Sequence, residues 1–149
     1  MALIIVHPFC AATKGSVSIK PLTGTDYIQA LIRNINEHKD VALYDACFIE
    51  STLELFAKYG ITRPMTRFST KTPNVGFLSI EEEMREIAWL KTLDTKEIVC
   101  AGGYVLRNNP EAISREGNPR DGCLEMVINR LQYRGFCCRI DTDAAFTWQ

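Results

Sequence analysis

The chain opens on Ala2-Leu-Ile-Ile-Val6, an apolar run with no alternation of polar residues. A strand with one face in water would alternate, so an unbroken run of this length predicts a strand covered on both faces, as in a parallel sheet packed between helices. Two later stretches repeat the pattern: Val41-Ala-Leu-Tyr44, which ends at Asp45, and Glu97-Ile-Val-Cys-Ala101, which runs into Gly102-Gly103. Parallel strands need long crossovers, and the residues between these runs have helical spacing. The fold class expected is therefore α/β: a three-layer α/β/α arrangement with a mostly parallel central sheet.

Residues 9–24 hold Gly15, Pro21 and Gly24 among Ser and Thr, and read as a long loop leaving the first strand. A helix is expected from about Asp26 to Glu37, burying Ile28, Leu31, Ile32 and Ile35. Ser51-x-x-Glu54 and Ser79-x-x-Glu82 are capping-box patterns that open two more helices, one ending at Gly60 and one near Lys91. Between them, Ile61 to Phe77 reads as a weak strand or an irregular stretch. The most polar part of the chain, at about 105–121, is expected to be a surface insertion within a single domain spanning 1–149.

After it, Asp121 can cap a helix in which Leu124, Val127, Ile128 and Leu131 fall on one face, and Gly135 takes the left-handed residue at its end. Phe136 to Ile140 is the last clear strand. Cys123 lies in the first turn of that helix, where unpaired amides and the positive end of the dipole favour a thiolate. Two readings stand side by side for it: a nucleophile, or a small apolar residue under a helix start.

Composition narrows the function. With 149 residues, 46% of them hydrophobic, the chain can bury a substantial core. A formal charge of −1, from 17 basic and 18 acidic residues, gives no bulk attraction to nucleic acid or to an anionic membrane. The six cysteines are scattered through apolar runs, which fits reduced thiols, and His7 and His38 are the only histidines, so no zinc site of the usual spacing is expected. Neither a signal segment nor a membrane span is read at the N-terminus, and a cytoplasmic location is the expectation. The partner expected is a small-molecule substrate or ligand, with no nucleic acid and no membrane.

Three local patterns, in order, resemble the isochorismatase-like cysteine hydrolases. ALIIVH looks like that family's first strand; Lys71 followed by Phe77, a helix and a glycine-ended strand is similar to the segment carrying its lysine; Cys123, Gly135 and the strand leading to Asp143-Ala144 resemble its nucleophile helix and the strand after it. The resemblance implies hydrolysis of a small amide-like compound through a Cys123 thioester, with Lys71 lowering the thiol pKa. His7 stands where the family has an aspartate, so it takes the place of the proton acceptor. Gly122, with the Cys123 amide, would face the oxyanion; Asp45, Phe77 and Gly103 complete the expected substrate surface. No metal and no cofactor are implied. The departures, His7 for an acid and a polar insertion between Gly103 and Cys123, favour the alternative of a catalytically inactive relative that binds a ligand or a protein. Plain readings also stand: His7 as a strand-end histidine bonded to backbone, Lys71 as a solvated loop residue, Asp45 as a cap before Ser51. A homo-oligomer is expected by the same resemblance, with the apolar Ala144–Trp148 stretch suited to the contact.

Overall fold

The computed structural model describes residues 1–9, 19–23, 26–45, 49–70, 78–103, 105 and 122–148. These form six strands and four helices: β1 (Ala2–Val6), β2 (Ile19–Pro21), α1 (Tyr27–Glu37), β3 (Asp40–Asp45), α2 (Ile49–Lys58), β4 (Thr66–Ser69), α3 (Ile80–Thr92), β5 (Glu97–Gly102), α4 (Cys123–Tyr133) and β6 (Cys137–Trp148).

The strand order is β2-β6-β5-β1-β3-β4, with β6, β5, β1, β3 and β4 all parallel and only β2 antiparallel to its neighbour. The chain therefore leaves the central β1 in one direction through β3 and β4, then returns and continues through β5 and β6. Right-handed crossovers put helices on opposite faces when the direction of travel reverses. Two separate cores record this. Ala2, Ile4, Val6, Tyr44 and Cys100 point into a cluster with Leu90 of α3 and Leu124, Val127, Ile128 and Leu131 of α4. Leu3, Ile5, Leu43, Val99 and Ala101 point into the other, with Leu31 and Ile35 of α1 and Phe56 of α2. Each buried aliphatic side chain contributes about 1.5–3 kcal/mol, which is why every β1 residue is apolar.

Local signals act as their chemistry dictates. The Asp26 carboxylate accepts from Gln29 N at 3.2 Å and starts α1; Ser79 Oγ accepts from Glu82 N at 3.1 Å and starts α3; Gly135 takes φ +91° just past α4.

Four expectations change. Part of the region read as a loop is a strand, because Ile19–Pro21 pairs with Phe146–Trp148. Helix α2 begins at Ile49, so Ser51 is no cap; Thr52 instead turns inward and donates to Asp45 Oδ2. The last strand continues past Ile140 to Trp148, and Ala144, Ala145 and Phe146 are buried in the sheet and not offered for a subunit contact. The reason is a long-range anchor: Asp141 Oδ2 accepts from Asn34 Nδ2 at 2.7 Å and from Arg33 Nη2 at 3.1 Å, which pins the polar middle of β6 to α1. Val105, placed at the start of a surface insertion, is buried, and its N–H donates to Phe146 O at 3.0 Å. The rest of that insertion, Asp121, and most of residues 9–24 lie outside the described residues. Among the described residues, no helix is long and apolar enough to cross a membrane.

Burial pushes the Tyr27 and Tyr44 phenols above their ordinary range, with Glu86 adding to the effect at Tyr44; the Cys100 thiol is raised by burial and then by Cys138. A raised folded pKa means the native state keeps a proton that the unfolded chain releases. The associated stability is complete below the unfolded value, about 10 for tyrosine and 8.5 for cysteine, and is lost as pH rises above it. Urea unfolding should therefore show stability falling from about pH 9 and more steeply above 10, by roughly 1.4 kcal/mol per pH unit for each tyrosine. Tyr27→Phe should flatten the slope. A flat profile up to pH 11 would contradict the burial of these phenols.

Candidate functional site

The reversal of strand order falls between β1 and β5, and in open parallel sheets ligands occupy the crevice beyond the carboxyl ends at such a point. Val6, Tyr44 and Gly102 are level with one another there, since Val6 is in register with both of the others. The residues just past them form the rim. His7 N–H donates to Tyr44 O at 2.9 Å, Gly103 N–H donates to Val6 O at 2.8 Å, and Thr70 N–H donates to Asp45 O at 2.8 Å. Parallel pairing thus brings His7, Asp45 and Gly103 to one edge.

His7 is buried and has φ +43°, the only non-glycine residue with positive φ among those described. Such a conformation persists only where the surroundings impose it. Here the next residues are clamped: Tyr27 Oη donates to Pro8 O at 2.8 Å, and the Phe9 ring meets Phe56 edge-on at 5.0 Å between centroids. The imidazole Nε2 is hydrogen-bonded to Thr70 Oγ1 at 3.0 Å. The Thr70 hydroxyl therefore orients the ring. Thr70 immediately precedes Lys71, and Lys71 and Phe77 themselves lie outside the described residues.

Asp45 is buried and holds Thr52, so its carboxylate joins the end of β3 to α2. Gly103, expected on the substrate surface, follows Gly102 at the end of β5. Their closest approaches are to the protein itself: a Cβ on Gly102 would fall 2.1 Å from Val6 O, and one on Gly103 would fall 2.2 Å from the Phe146 ring. These glycines let β1, β5 and β6 close up beneath the crevice.

Cys123 is the first residue of α4, half-buried, and packs against the core cluster that contains Val6, Val105 and Leu124. Gly122 occupies the N-cap position. Its N–H, expected to face an oxyanion, donates to Glu125 Oε1 at 2.8 Å. Glu125 is fully buried, and by accepting from the N-cap amide its carboxylate braces the helix start. Sequence reading missed this carboxyl group; the signal was the helix-start spacing of Gly122-x-x-Glu125.

Two further cavities among the described residues open elsewhere. One of about 400 Å³ lies at the end of α2 before β4, and one of about 360 Å³ lies where α3 and α4 end. Both are at the amino edge of the sheet, away from His7. No group of three or more His, Cys, Asp or Glu residues suited to a metal ion occurs among the described residues. The chain matches no protein-family model, no curated protein and no solved structure.

Proposed function

We propose that the protein takes a small molecule into the β1/β5 crevice and hydrolyses an amide-like bond in it, with Cys123 as nucleophile, in the manner of isochorismatase-like hydrolases. The observation that carries this reading is positional: the helix that begins at Cys123 follows the strand at the reversal point, and His7 sits at the end of the neighbouring strand. In the proposed reaction His7 takes the thiol proton and the sulfur attacks the carbonyl carbon. The proton then passes to the departing amine, leaving a thioester. Water adds to the thioester, giving up a proton to the imidazole, and the thiol and a carboxylic acid are released. Lys71 supplies positive charge that favours the thiolate.

A second reading, a binding protein without chemistry, is favoured by the His7–Thr70 hydrogen bond, which commits one ring nitrogen to the scaffold. The two readings part at the thiol. Iodoacetamide labelling of the native protein against pH, resolved by peptide, should give Cys123 an apparent pKa below about 8.5, raised by His7→Ala or Lys71→Ala. Turnover of a small amide should vanish in Cys123→Ala. If Cys123 titrates as an ordinary thiol and neither substitution moves it, the crevice is a binding site only.

A further inference from the structure

Helix α3 carries an apolar row that is largely exposed among the described residues. Ile80 and Met84 are 78% and 66% exposed, and at helical spacing they are followed on the same side by Ile87 and then Lys91. The inward side of the helix is a different one, marked by the buried Glu86 and Leu90. Tyr133 at the end of α4 is 80% exposed and lines, with Ile87, Leu90 and Phe136, the cavity of about 360 Å³ at the far end of the same row. Of the five large apolar side chains exposed among the described residues, three are thus on the outer face of α3 and α4.

The two ends of this face differ in sign and in shape. The first turn of α3 carries Glu81, Glu82 and Glu83 and the projecting Ile80. The last turn carries Lys91, and the cavity beside it is walled by Lys91, Lys96 and Arg134 over an apolar floor. Lys96 Nζ already lies 4.5 Å above the Phe136 ring, so a cation is held at the mouth of the cavity. Glu82 and Glu83 are held by Arg85 and Arg134 at 2.7 and 2.6 Å, so the complementary pair that the face offers is Glu81 beside the projecting Ile80 at one end, and Lys91 and Lys96 beside the cavity at the other.

We propose that this face joins two copies of the chain about a two-fold axis, with α3 packed antiparallel on α3 of the second copy. In that arrangement Met84 meets Ile87 of the other copy, Ile80 enters its cavity, and Glu81 comes to its Lys91 and Lys96. Two-fold symmetry makes each match occur twice. The opposed helix dipoles add to the agreement. A partner of a different sequence would need to reproduce both the projecting end and the cavity, whereas a second copy supplies both. The apolar contact carries the affinity, and the rim charges fix the antiparallel direction. One helix pair with Tyr133 beside it is at the small end of specific interfaces, which implies a dissociation constant of about a micromolar or weaker.

Sedimentation equilibrium on the full chain over about 1–100 μM tests this. The expected result is a monomer–dimer equilibrium whose dissociation constant rises at least roughly tenfold in Ile80→Glu and in Met84→Glu. Glu81→Lys and Lys91→Glu should each weaken the dimer, and the two together should restore it. All four positions are exposed, and unchanged circular dichroism will establish that each variant is folded. A monomer at every concentration overturns the proposal, as does a dimer that Ile80→Glu and Met84→Glu leave intact. A dimer weakened by the apolar substitutions but not restored by the paired charge reversal overturns the antiparallel arrangement. Saturable binding of inorganic phosphate to a strictly monomeric protein, lost in Lys91→Glu, would assign the cavity to a small anion instead.

Discussion

Gly102→Ala should leave little or no native protein. Gly102 has φ +95°, and a Cβ there would lie 2.1 Å from Val6 O and 2.8 and 2.9 Å from Val6 N and C. Those are backbone atoms of the central strand, held on the other side by pairing with Tyr44, so they cannot withdraw without opening the sheet at its middle. The unfavourable φ alone costs about 1–2 kcal/mol. The overlap raises the total above about 4 kcal/mol, a large part of the roughly 5–15 kcal/mol that holds a domain together. Gly60 and Gly135 provide the comparison, since they have φ +81° and +91° with nothing within 4 Å of an added Cβ. Alanine at either should cost only about 1–2 kcal/mol. Soluble yield and urea unfolding followed by circular dichroism will separate the three. A Gly102→Ala protein as stable as Gly60→Ala would mean that β1 and β5 do not approach this closely.

Arg130→Met is expected to be nearly as damaging, for an electrostatic reason. Glu86 is fully buried inside the α3/α4 core, where Tyr44 Oη donates to one carboxylate oxygen at 2.6 Å and Arg130 Nη2 to the other at 2.7 Å. Arg130 also lies 3.8 Å from Glu83, which in turn accepts from Arg134 at 2.6 Å. Methionine preserves most of the arginine stem and removes the charge, so Glu86 loses its cation while remaining out of water. Breaking one side of such a pair costs about 3–5 kcal/mol. Removing both sides, as in Glu86→Met with Arg130→Met, should recover part of the loss, leaving mainly the cost of the Tyr44 hydroxyl without its acceptor, about 1–3 kcal/mol. A double-mutant cycle in urea measures the coupling directly. An Arg130→Met protein within about 1 kcal/mol of the parent would show that the carboxyl group does not depend on this cation.

The elements that were legible are those decided by local chemistry. Ala2–Val6 has five apolar residues in a row and is buried throughout; Asp26, Ser79 and Gly135 cap helices because of their own side chains or, for glycine, the lack of one. The elements that were missed depend on partners far along the chain. Asp141, Thr142 and Asp143 read as the end of a strand because aspartate is poorly placed in a sheet. They continue β6 because Arg33 and Asn34 donate to the Asp141 carboxylate and Thr23 donates to that of Asp143. Glu86 and Arg130 drew no notice because each sits on a helix that otherwise reads as amphipathic, and only the packing of α3 on α4 brings the charges together. At the site, the meeting of His7, Asp45 and Gly103 followed from three strand ends in a parallel sheet. The roles of Thr70 and Thr52, which hold His7 and Asp45, needed the register between β3 and β4 and the inward turn of α2.

The position of β6 has a consequence for how the molecule comes into being. β1 is made first and stands at the centre, where it can join β3 and β4 as soon as they are synthesised, yet its other side stays open until β5 appears. β6 comes last and completes three things together: it pairs with β2, places the Phe146 ring against Gly103, and presents Asp141 to α1. A growing chain therefore holds an unfinished crevice until this strand docks, and such distant pairing is slow. Proteolytic loss of β6 would remove the support of the rim without cutting a single rim residue. The crevice thus doubles as a report on whether β6 has docked, because a chain without that strand has the residues of the site but not the site.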